Sequence, residues 1–147
     1  MAHFTLRIED DGPLLNVQLS VSAPHAAALT QAQKPIPETF PAKGLVDTGA
    51  SCTSVDPGVV AALGLSPVGE MRMVTPSTGA ESVAVYQYDV GVAIFSSLDD
   101  APLVIPALPV AEFPLLNQGF HVLIGRDILS RCVLVYNGSA GLYTLAF

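Results

Sequence analysis

The sequence predicts an all-β domain with two or three short helices. Three observations carry this: runs that alternate apolar and polar residues with period two, turn-forming clusters of Asp, Gly, Pro and Asn between those runs, and no heptad, repeat or long helical pattern. The 147 residues fit a single domain spanning 1–147.

In chain order, residues 3–8 and 14–21 read as strands, with Asp10-Asp11-Gly12-Pro13 as the turn of an N-terminal hairpin. Residues 26–33 have helix-forming composition, and Pro35, Pro37 and Pro41 impose an extended path beyond them, so 22–43 is a loop or insertion. A strand at 44–46 ends in Asp47-Thr48-Gly49-Ala50-Ser51 and resumes at 52–55. Asp56 then caps a short helix with Pro57 in its first position, closed by Gly64. Strands at 70–75 and 81–94, the second broken near Gly91, form a long hairpin around the turn Pro76-Ser77-Thr78-Gly79-Ala80. Residues 96–119 form a Pro-rich connection with short apolar runs at 103–105 and 108–110. A strand at 120–124, a short helix opened by Gly125-Arg126-Asp127, and a hairpin of strands 132–136 and 142–147 complete the chain.

Composition narrows the function. The net charge is −7, and the six basic residues, Arg7, Lys34, Lys43, Arg72, Arg126 and Arg131, form no stripe. This argues against a nucleic-acid partner and against an anionic membrane surface. The apolar stretch 101–116 is interrupted by four prolines and cannot form a spanning helix. The start MAHFTLRIEDDG lacks a basic segment followed by an apolar run, so the expectation is a cytoplasmic chain. Cys52 and Cys132 are then expected as free buried thiols. Half of the residues are hydrophobic. Either a partner covers apolar surface, or the chain is an unusually apolar monomer. His3, His25 and His121 have no ligand-like spacing, so neither metal nor cofactor is expected.

The strongest chemical signal is Asp47 at the end of an apolar strand, where a lone buried carboxylate would be costly. Asp-Thr-Gly alone is commonly just a turn. Its context is more specific: the hairpin follows, and then Val122-Leu123-Ile124-Gly125-Arg126-Asp127-Ile128-Leu129. From about 44 to 136, this order resembles the retropepsin-like aspartic proteases. The resemblance implies a closed acid-protease barrel with one or two short helices and a flap hairpin. It also implies an endopeptidase in which Asp47 is catalytic, with Thr48, Gly49, Ala50 and Arg126 in support. Because the sequence contains one Asp-Thr-Gly, the second carboxylate must come from a second copy, giving a homodimer that takes an extended peptide or unfolded protein. Thr48 would lock the two loops together and Gly49 would admit the peptide backbone; otherwise both are turn residues. Pro76, Ser77, Thr78 and Gly79 would form the flap tip, which is less glycine-rich than in retroviral enzymes. The partner of Arg126 is open among Asp127, Asp56 and a backbone carbonyl, and Asp127 could instead cap its helix. A non-catalytic dimerisation or peptide-binding module on the same fold is the alternative, and an unrelated β-barrel with Asp47 capping a turn is a third.

Overall fold

The computed structural model describes residues 1–76, 78–96 and 101–147. Among the described residues, ten strands form two sheets: β1 (His3–Arg7), β2 (Leu14–Val21), β3 (Phe40–Val46), β4 (Ser54–Val55), β5 (Gly69–Met73), β6 (Val83–Phe95), β7 (Leu103–Glu112), β8 (Val122–Ile124), β9 (Val133–Asn137) and β10 (Leu142–Ala146). The helices are α1 (Ala23–Gln31), α2 (Pro57–Ala62) and α3 (Arg126–Leu129), with one 3-10 turn at Leu116–Gln118.

The larger sheet runs β2-β3-β8-β4-β7-β6-β5, and β2 also pairs with β6. Six strands therefore close on themselves, while β5 extends β6 as a hairpin outside the ring. Alternation fills the barrel: Leu15, Val17 and Leu19 of β2 meet Val55, Val90, Val92, Ile94, Val110, Val122 and Ile124 in one core. Gly44 permits close approach inside it, since a Cβ there would lie 2.9 Å from Val17 and 3.1 Å from Ile124. The smaller sheet, β1-β10-β9, packs Phe4, Tyr143 and Leu145 against this core. The Tyr143 hydroxyl donates to the Leu14 carbonyl and ties the two sheets together.

Several elements differ from the sequence expectation. The first two strands are not a hairpin. Their tight turn exists, with Glu9 bridging Gly12, but β1 pairs with β10 while β2 pairs with β3 and β6. A turn fixes only that the chain reverses, and each strand takes the partners that let its apolar face, Phe4 on β1 and Leu15, Val17 and Leu19 on β2, reach the core. The 103–105 and 108–110 runs belong to one strand, β7, despite Pro106 and Pro109. Pro106 falls where the pairing with β6 shifts register, and Pro109 lies where β7 has a strand neighbour on one side only, since β4 joins it at Ala111 and Glu112. Both are places where a missing N–H is tolerated. That register shift is also the break expected near Gly91. β3 begins four residues before Gly44, and the strand expected at 52–55 shrinks to Ser54–Val55. Among the described residues, no helix is long and apolar enough to cross a membrane. Cys52 and Cys132 are free and half-buried, not fully buried.

Candidate active site

Asp47 stands where β3 leaves the barrel. Its N–H donates to the Ile124 carbonyl of β8 at 3.0 Å, continuing the parallel pairing of Val46 with Ile124. The backbone then turns. The Gly49 N–H donates to Asp47 Oδ1 at 2.8 Å, and the Ala50 N–H to the Asp47 carbonyl at 3.3 Å. An aspartate that accepts from the backbone two residues on is a turn device in its own right. Here it also fixes one carboxylate oxygen and leaves the side chain half-buried, with Thr48 and Gly49 exposed beside it.

The turn is strapped from behind by α3. Arg126 Nη1 donates to the Thr48 carbonyl at 3.0 Å and to the Gly49 carbonyl at 3.3 Å, and the Arg126 backbone N–H donates to the Ala50 carbonyl at 2.9 Å. Of the partners open to Arg126, the structure places backbone carbonyls against it. Asp127 is not the cap of α3, whose N-cap is Gly125. It reaches across the chain instead: Oδ2 accepts from the Thr53 N–H and Oδ1 from the Thr53 hydroxyl, each at 2.8 Å, and Oδ1 also takes the Ile128 N–H at 2.9 Å. The Thr53 hydroxyl in turn accepts from the Gly125 N–H at 3.2 Å. Gly125 admits this contact because a Cβ there would lie 2.4 Å from the Cys52 carbonyl carbon and 2.5 Å from its oxygen.

Sequence reasoning missed Thr53 and underrated Gly125. The signal for Gly125 was its place between Ile124 and Arg126, whereas nothing local marks Thr53. The role of Asp56 is also larger than that of a helix cap. Oδ1 takes the Gly58 N–H at 2.8 Å, while Oδ2 takes the Leu115 and Leu116 N–H groups at 2.9 and 2.8 Å. Burial pushes its carboxyl up, but the backbone donors of Leu115, Gly58 and Leu116 and the nearby His121 outweigh that and hold it below the ordinary value. The Cys52 thiol is pushed up by burial and by the Asp127 carboxylate, against a hydrogen bond from Ser51, which disfavours the nucleophilic thiolate.

Apolar surface borders the acid. Leu45, two residues before Asp47, pairs with Leu123 of β8, and both are half-buried against a cluster of Leu14, Leu115 and Phe120.

The long hairpin of β5 and β6 runs from the pair Gly69–Gln87 to the pair Met73–Val83. Beyond it, the Thr78 hydroxyl accepts from the Thr75 N–H at 2.9 Å and donates to the Thr75 carbonyl at 3.0 Å, closing a tight turn. Pro76 is exposed, and Gly79 has a left-handed φ of 64°. Ser77 lies outside the described residues. Among those residues, no group of His, Cys, Asp and Glu could hold a metal ion.

A retropepsin-like aspartic protease from Rickettsia conorii is similar in structure with a TM-score of 0.61 at 14% identity, covering 99% of this chain and 91% of that one. The retroviral protease-like domain of Ddi1 from Leishmania major matches with a TM-score of 0.42 at 18% identity, over 90% of this chain and 87% of that one. No curated protein matches in sequence. A family model described as aspartyl protease matches residues 36–128, a stretch that begins before β3 and ends within α3. That stretch contains the Asp47 turn and the α3 residues that strap it, and it is more than half of the chain, which therefore belongs to the aspartyl protease family.

Proposed function

We propose that this protein is an aspartic endopeptidase in which two copies of the chain each supply one Asp47. The observation that carries this is the state of the Asp47 carboxylate. It is half-exposed at the mouth of a braced turn, with Oδ1 held by the Gly49 N–H, in a member of the aspartyl protease family. A carboxylate that served only to cap a turn would need neither the Arg126 strap nor the part-buried Thr53–Asp127 brace behind it.

Two carboxylates facing each other across a two-fold axis cannot both ionise, so they share one proton. The ionised member takes a proton from a water held between them, while the protonated member hydrogen-bonds the scissile carbonyl. The water adds to that carbonyl, and the tetrahedral diol collapses with proton transfer to the leaving amine. The chemistry needs neither a metal nor a covalent intermediate. Thr48, exposed in the single chain, would meet its twin across the axis, and Gly49 would admit the peptide backbone. Ala50 and Arg126 would hold the turn. Half-buried Leu45 and Leu123 would offer apolar surface to an extended peptide, and the hairpin tip with Pro76, Thr78 and Gly79 would close over it through backbone hydrogen bonds.

The test is cleavage of an unfolded, apolar-rich protein at mildly acid pH, read by mass spectrometry of the fragments. Asp47→Asn keeps an acceptor for the Gly49 N–H but cannot ionise, so it should lose activity by about 1,000-fold or more while melting like the wild type. Cleavage at the wild-type rate by Asp47→Asn would remove Asp47 from the chemistry.

A further inference from the structure

The pairing registers of the larger sheet place one row of residues on the side of the barrel wall that carries Asp47. Leu45 of β3 lies beside Leu123 of β8, Leu123 opposite Ser54 of β4, Ser54 beside Ala111 of β7, and Ala111 opposite Gln87 of β6. Asp47 follows Leu45 by two residues and so extends this row at the end of β3. The neighbouring row, with Val46, Ile124, Val122, Val55 and Val110, turns the other way into the core. Further along β6, Val85 shares the side of Gln87 and faces Met71 of β5. The row is a strip of surface that starts at the acid and climbs onto the hairpin.

Both ends of the strip are apolar: Leu45, Leu123, Val85 and Met71 are all half-buried. Its middle is not. Ser54 is 1% exposed, and its Oγ is the one buried side-chain polar atom without a hydrogen-bond partner among the described residues. The adjacent Thr53 hydroxyl, by contrast, donates to Asp127 and accepts from Gly125. An alanine at position 54 would avoid the cost of an unpaired, desolvated hydroxyl. Next to Ser54, Ala111 is small and fully buried, and beyond it the half-buried Gln87 carries an amide. Ser54 and Gln87 thus stand two strand spacings apart, about 10 Å, on either side of a residue that fills little space. No charged residue lies in the row between Asp47 and Gln87, so an ionic group entering there would have no counter-charge.

We infer that Ser54 is a specificity-determining residue. Its hydroxyl, with the Gln87 amide, receives a neutral hydrogen-bonding side chain of the peptide, an amide or a hydroxyl, in preference to an aliphatic one of similar size. This deepens the proposed function, on which it rests for the identity of the ligand as an extended peptide. The hydroxyl is closed off in the free chain, so the incoming side chain reaches it by parting the half-buried Leu123 and Gln87. An aliphatic side chain leaves Ser54 as unpaired as before. A polar one removes a penalty that the free chain already carries.

Peptide pairs that differ only as Asn against Leu, or Thr against Val, test this when the change is stepped through the three residues on each side of the scissile bond. At one position, the wild type should cleave the polar member with a kcat/KM about 10-fold above its aliphatic partner. Ser54→Ala should erase that ratio by slowing cleavage of the polar member alone, and should melt no lower than the wild type, because it removes an unpaired hydroxyl. Gln87→Leu, at a half-buried position, should lower the ratio at the same position. A wild type without polar preference at any position, or a preference that Ser54→Ala retains, overturns the assignment, while cleavage itself leaves the peptidase reading standing. If the wild type cleaves no peptide, fluorescence anisotropy of the same labelled pairs decides. A Ser54-dependent preference in binding keeps the polar site and removes the peptidase chemistry, whereas binding without that preference, or none, removes both.

Discussion

The two ends of the β5–β6 side and the Asp47 side of this molecule are held together in opposite ways. The Asp47 turn is secured by residues far away in sequence: Arg126 reaches Thr48 over 78 positions, and Asp127 reaches Thr53 over 74. The tip of the long hairpin is secured by its neighbours. Thr78 bonds Thr75 three positions away, and Arg72 bonds the hydroxyl of Ser82 ten positions away at 2.8 Å, exposed to solvent. The first arrangement forms only when the whole barrel forms, so it shares the stability of the fold. The second can loosen without disturbing the core, because low-stability segments are those with few buried contacts and solvent-exposed hydrogen bonds. In the proposed peptidase this division would be useful, because the carboxylate would have to be held in place and a cover over the substrate would have to open.

Three substitutions probe that contrast. Gly125→Ala should be the most damaging, at about 3 kcal/mol or more, since the new methyl meets backbone that is itself fixed by the Thr53 brace. Urea unfolding would measure it, and a loss below about 1 kcal/mol would mean the brace yields more readily than its geometry implies.

Asp56 comes next, and its effect depends on pH. Its folded-state pKa lies below the ordinary 3.8. The ionised carboxylate therefore contributes its full stability above about 3.8, and that contribution disappears as the pH falls through the folded value. Asp56→Asn should cost about 1–2 kcal/mol near neutral pH, and the gap from wild type should narrow in melts taken below that point. A gap that stays constant down to strongly acid pH would argue that the 115–116 backbone is held by shape and not by charge.

The smallest effect is expected at the hairpin. Arg72→Ala removes the solvent-exposed bonds to Ser82 and should change global stability by no more than about 0.5 kcal/mol. A loss several times larger would show that the hairpin is coupled to the barrel, and the contrast between the two regions would collapse.

The same contrast explains what could be read from the sequence. Local devices were legible. The Asp56-Pro57 start of α2 and its end at Leu63-Gly64 follow from capping chemistry, and the Asn137–Gly141 turn joins β9 and β10 as expected. The barrel of retropepsin-like type was legible too, through the ordered pair of motifs around Asp47 and Gly125. The pairing of β1 with β10 was not, because a turn signal at Asp10-Asp11-Gly12 states only that the chain reverses, and not which strand lies beside it. Pro106 and Pro109 likewise suggested an interrupted connection, since the bulge and the one-sided edge that accommodate them exist only once β6 and β4 are in place.

What the amino-acid order determined by itself was the alternation that makes strands, the caps and turns that end them, and an acid placed at the end of an apolar run. These depend on interactions among residues a few positions apart. Tertiary structure alone decided that Thr53 would stand between Gly125 and Asp127, and that Arg126 would settle on the Thr48 and Gly49 carbonyls. Each of those outcomes depends on which distant surface buries the most apolar area and satisfies the most polar groups at once, a competition that no short stretch of the chain contains.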